Sequence, residues 1–272
     1  MNIFQFFIIL FTLAGGLRAS ECCLGGGTRS LNSLQAMQKY DFGLTTSFQD
    51  YSSWYNLSLQ AYSAVRLTPH LEVFGRVPVV QHKVDYGARR ESETGLGDVS
   101  LGLRMTVLRN LFVEELFPTV NVVFAAKLPT EGKDFHQGNL FQTRSGNGLL
   151  EPLIGVSFSK EYYDWLGMID LTYVRLEGTV FEKFIRDNQI NATATLGYAI
   201  NREWHLGVGG NQMWSVGRAL NREASLGDVV NTLSLFSYVN YFFTPFASVG
   251  THLDWSSPNS RTASLSLRYG FY

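Results

Sequence analysis

Beyond residue 20 the chain has no apolar run that approaches the roughly 20 residues a membrane-crossing helix needs, which excludes a helical membrane protein. Cysteine is nearly absent as well. Its two copies, Cys22 and Cys23, are adjacent, so apart from a strained ring between neighbours no disulfide can staple the fold internally. Neither sign of charge dominates: 22 basic and 23 acidic side chains give a formal net charge of −1, and nothing in that balance implies nucleic acid as a partner. The five histidines, His70, His82, His136, His205 and His252, are scattered without ligand spacing, so no metal is expected. Gly25-Gly26-Gly27 lacks both a preceding strand and a following Lys-Ser/Thr. No nucleotide or other cofactor is expected.

What is present begins with a compartment signal. Met1 to Leu13 is a nearly unbroken apolar run, followed by Ala14-Gly15-Gly16-Leu17-Arg18-Ala19-Ser20, where small residues permit cleavage. This reads as a secretory signal peptide over residues 1–19, too short for a stable anchor, with cleavage after Ala19. Glu21 precedes Cys22 where a lipoprotein signal would need a small residue, which argues against lipid attachment. Removal of residues 1–19 takes away Arg18 and leaves 21 basic and 23 acidic side chains, a charge of −2. Residues 20–39 read as a short periplasmic or lumenal arm, and residues 40–272 as one barrel domain.

Within that domain the prevailing period is two. From Gly97 to Val107, eleven residues alternate, with Val99, Leu101, Leu103, Met105 and Val107 on one face and Asp98, Ser100, Gly102, Arg104 and Thr106 on the other. Leu71/Val73/Gly75/Val77/Val79 stand against Glu72/Phe74/Arg76, and Ile190/Ala192/Ala194/Leu196 against Gln189/Asn191/Thr193/Thr195. The last twelve residues, Arg261 to Tyr272, alternate likewise. Such segments run about ten to twelve residues, longer than ordinary soluble strands and suited to a tilted membrane crossing.

Connections alternate in length. Short links at 67–70, 109–115, 160–164, 201–203 and 244–245 are separated by longer polar ones at 49–53, 81–94, 129–147, 177–188, 217–226 and 256–260. Twelve strands result, and an even number returns both ends to one side. The fold expected is all-β: a transmembrane antiparallel up-and-down barrel with short periplasmic turns and longer extracellular loops. Aromatics near strand ends, among them Tyr162, Tyr163, Trp165, Trp204, Tyr241, Phe242, Phe243 and Trp255, fit interfacial girdles.

Gly95-Leu-Gly-Asp-Val-Ser-Leu-Gly-Leu-Arg104, followed by Ala126-Lys-Leu-Pro-Thr-Glu-Gly-Lys133, resembles the outer-membrane transporter family labelled as the MetA-pathway of phenol degradation type. There a Gly-x-Gly-Asp strand is followed by a Lys-Leu-Pro-Thr-Gly strand end; Glu131 is inserted here before Gly132. The resemblance spans about residues 40 to 272. It implies a barrel that passes small, often apolar or aromatic, molecules.

With the apolar faces toward lipid, the opposite faces point Glu72, Arg76, Asp98, Arg104, Lys127, Glu151, Asp170, His205, His252, Asp254 and Arg268 into the lumen. Acids and bases are mixed, as in a charged constriction or as in salt bridges that brace a narrow barrel. The favoured reading is a passive channel or uptake barrel in the outer membrane of a Gram-negative-type bacterium, with membrane lipid and a small solute as partners and assembly into a homo-oligomer left open. Two alternatives remain: a structural or adhesive barrel with a closed lumen, and a barrel hydrolase, for which His205, Asn211 and Ser215 or His252 and Ser248 would have to assemble.

Overall fold

The computed structural model describes residues 39–51, 54–85, 90–109, 117–128, 130, 150–175, 179–180, 184–219, 229–256 and 260–271. Fourteen strands appear among them: β1 (Tyr40–Tyr51), β2 (Trp54–Thr68), β3 (Leu71–Asp85), β4 (Arg90–Leu96), β5 (Val99–Leu108), β6 (Thr119–Leu128), β7 (Glu151–Tyr162), β8 (Trp165–Val174), β9 (Thr179–Val180), β10 (Phe184–Ala199), β11 (Trp204–Ala219), β12 (Val229–Thr244), β13 (Ala247–Ser256) and β14 (Ser260–Phe271). Every pairing is antiparallel, and the ring closes where β1 meets β14 from Tyr40↔Phe271 to Asp50↔Arg261.

The fourteen strands make twelve staves. β4 and β5 both pair with β3, one along its outer half and one along its inner half, so they are one stave interrupted at Gly97–Asp98. The Gly97 N–H bridges the break by donating to the Pro78 carbonyl at 2.8 Å. β9 is a two-residue addition to the edge of β10. The expected antiparallel twelve-stranded barrel is thus the observed fold.

Alternation dictates the walls. Leu101, Leu103, Met105 and Val107 of β5 are 44–59% exposed, and their neighbours around the ring, such as Phe124, Ile154, Ile169, Leu196 and Val208, continue an apolar outer band. In water this surface would drive aggregation; in a bilayer it replaces a conventional core. Buried residues face inward and are largely polar, with one apolar patch where Leu153 and Val174 pack against Val123 and Ala125.

Tight turns gather at the end that also holds Tyr40 and Phe271. Asn201 Oδ1 accepts from the backbone N–H groups of Glu203 and Trp204, both at 2.8 Å, and Thr244 Oγ1 accepts from those of Phe246 and Ala247 at 3.2 and 3.0 Å. Side-chain acceptors of this kind stand in for ladder partners at a chain reversal. Tyr163, at φ 52°, makes the two-residue reversal between β7 and β8.

Two expectations are corrected. The stretch 81–94 is no long loop, because β3 runs to Asp85 and β4 begins at Arg90, with Gln81↔Thr94 through Asp85↔Arg90 in register; strand likewise enters 177–188 and 217–226. A ladder that continues past the apolar band needs no greasy face, so its sequence is polar on both sides and reads as loop. Phe242 does not join the outer girdle. Tyr241 and Phe243 point outward, so the residue between them must point inward, where it is 3% exposed against His205. The arm at 20–39 and both cysteines fall outside the described residues, save Lys39 at its end.

Candidate functional site

The inner wall carries the chemistry, and all eleven expected residues lie on it. Three sets of charges are held between adjacent staves. Nearest the turns, Glu72 on β3 takes Arg104 of β5 at 3.0 Å and Arg66 of β2 at 3.7 Å. The Arg104 guanidinium lies 5.6 Å from the centre of the Phe74 ring, a second contact for its planar face. Toward the loop end, Lys127 of β6 meets Asp98 at 3.4 Å on one side and Glu151 of β7 at 3.5 Å on the other. At the closing seam, Arg268 of β14 grips Asp41 of β1 through Nε, at 2.9 and 3.1 Å to the two carboxylate oxygens, and through Nη2. Each of these side chains has at most 24% of its surface exposed, so removing one partner strands a partly desolvated charge.

The other expected residues are dispersed. Arg76 stands between Tyr62 and Ser100 in register, and Asp170 between Ser157 and Thr193. His252 stacks on Phe236 with centroids 5.0 Å apart, Asp254 is buried beside Thr262, and His205 rests on Phe242 at 4.8 Å. Neither His205 nor His252 has a hydrogen-bond partner on Nδ1, and Ser248 lies across from Phe242 and Arg268. The Nδ1 contact that would orient either imidazole for a hydrolase is not made.

Sequence reasoning missed Asp41 and Arg66, although both stand at inward positions of strands whose alternation was legible. It also missed a set of wall-hugging rings. Phe74 lies opposite Gly102, Tyr238 opposite Gly207 and Phe236 opposite Gly209; a Cβ at these glycines would sit 2.4, 2.2 and 2.3 Å from the ring concerned. Asn240 covers Gly250 in the same way. The glycines leave a shelf on which large side chains lie along the wall.

A family model described as "Putative MetA-pathway of phenol degradation" matches residues 37–269. The chain belongs to this family. Among solved structures, an outer membrane channel from Pseudomonas putida F1 aligns with a TM-score of 0.63 at 14% identity, over 86% of this chain and 96% of its own. NanC porin aligns with a TM-score of 0.52 at 12% identity, over 85% of this chain and 99% of its own. At such identities the likeness speaks for the fold alone: this family member is built as a closed antiparallel barrel like those channels. Among curated proteins none matches the chain.

Proposed function

We propose that the barrel is a passive channel of the outer membrane that lets small molecules, apolar or aromatic ones included, diffuse across. The observation that carries this reading is the direction of the inward side chains. Arg66–Glu72–Arg104, Asp98–Lys127–Glu151 and Asp41–Arg268 all join neighbouring staves, so in these pairs among the described residues the charges are neutralised along the wall. The rings over Gly102, Gly207 and Gly209 hug the wall too. Twelve staves enclose a lumen intermediate between eight-stranded barrels filled by side chains and sixteen-stranded open porins. A plugged structural barrel would be expected to stitch opposite walls together.

A mixed wall suits solutes of mixed character. Its ion pairs keep water in the lumen, and the partly exposed ring of Phe236 offers apolar surface to a planar solute, while Phe74 and Tyr238 lie buried along the wall. The test is planar-bilayer recording together with liposome swelling on refolded protein lacking residues 1–19. Discrete conductance steps and uptake of small neutral solutes are expected; folded protein that gives neither sinks the channel reading.

A further inference from the structure

The outer face of β6 to β11 is not uniformly convex. A hollow of about 590 Å³ opens there, within the range of roughly 300–1,000 Å³ typical of ligand pockets, walled by Phe158 and Ile169 on one side and Leu196 and Val208 on the other. Its floor exists because Gly167 interrupts the row of large side chains: nothing lies within 4 Å of the position its Cβ would take, while its neighbours Trp165 and Ile169 stand out at 49% and 52% exposure. Lys160 lines the hollow, directly opposite Gly167 in register. One row nearer the turns, Tyr162, Trp165 and Tyr198 stand side by side across β7, β8 and β10, with the Trp165 and Tyr198 rings 4.7 Å apart.

That order of features, an aromatic row, then a cation, then an apolar furrow, matches one lipid molecule lying against the wall. We propose that the hollow is a binding site for a phospholipid with an anionic headgroup, the headgroup phosphate at Lys160 and one acyl chain along the furrow over Gly167. A lysine on the lipid-facing side is costly unless its ammonium reaches the headgroup level, and the adjacent aromatic row marks that level. A second hollow on the outer wall makes the contrast. It measures 390 Å³, is lined by Val73, Leu101, Gly102, Leu103, Phe124, Ala125 and Ala126, and has no cation, so it has no means of choosing a headgroup.

The test is native mass spectrometry of the refolded barrel released from micelles doped with equal amounts of phosphatidylglycerol and phosphatidylcholine, each variant first shown to be folded by its heat-modifiable mobility. The wild type retains phosphatidylglycerol preferentially. Gly167→Leu fills the furrow into open space and loses that lipid, whereas Ala126→Leu, in the second hollow, keeps it. Lys160→Gln lowers the preference for phosphatidylglycerol over phosphatidylcholine by about fivefold, the factor expected of one lysine at an anionic lipid surface, and decides the matter if Gly167→Leu does not fold. Equal retention of phosphatidylglycerol by wild type and Gly167→Leu, or an unchanged lipid preference in Lys160→Gln, overturns the proposal. So does a dimer that Gly167→Leu dissociates, which would make the occupant a second copy of the chain. Conductance does not enter this measurement, so its outcome is independent of the channel reading.

Discussion

Adding one methyl group at Gly207 would place a Cβ 2.2 Å from the Tyr238 ring, closer than any packing tolerates. Gly207→Ala should therefore push the ring off its shelf into the lumen. The expected result is a smaller single-channel conductance with a loss of about 1–3 kcal/mol in urea unfolding, the usual cost of overpacking. Gly167→Ala meets nothing within 4 Å and should change stability by less than about 0.5 kcal/mol. These rings show what the sequence does not disclose at this scale. Alternation places Phe74 inward between Glu72 and Arg76, but that Gly102 lies opposite follows only from the β3–β5 register. Asp41 was overlooked for a related reason: its partner, Arg268, is 227 residues away.

At the scale of the elements, β3 is the stave whose loss of charge matters most, because Glu72 serves two arginines at once. Glu72→Gln leaves Arg66 and Arg104 facing each other without their shared anion. A loss of about 1–3 kcal/mol is expected, between the value of an exposed pair and that of a fully buried one. The surplus positive charge should also shift the reversal potential of the channel, measured across a salt gradient, toward anion selectivity. Strand positions within the apolar band were legible because lipid on one side and water on the other impose strict alternation, as from Val99 to Val107. The hairpin of β3 and β4 beyond that band was not, since its ladder from Gln81↔Thr94 to Asp85↔Arg90 is written in polar residues at successive positions and shows no period of two. The expected break between strands is shorter there, with β3 running to Asp85 and β4 starting at Arg90, and a further interruption falls at Gly97–Asp98.

For the whole molecule, the count of twelve staves was legible from the alternation of short and long connections, which reports the two sides of a membrane and does not depend on any single boundary. The seam was only half legible, because the character of the final strand can be read but its partner cannot. Tyr40 stacks on Phe271 at 5.0 Å and Phe42 does so at 5.8 Å, beside the Asp41–Arg268 pair. Asp41→Ala should lower the temperature at which the folded band converts to the unfolded one in electrophoresis, while a substitution at solvent-exposed Glu203, such as Glu203→Gln, should leave it unchanged.

The pairs inside the wall can form as soon as two successive hairpins meet, whereas Arg268 can reach Asp41 only after every intervening segment has been laid down. Bringing chain ends 227 residues apart together carries a larger loop-closure entropy than any hairpin in the ring, so the seam is expected to close last. A fluorophore and quencher placed on β1 and β14 would accordingly time the end of assembly, and the guanidinium grip would act as a latch, slowing reopening more than it hastens closure.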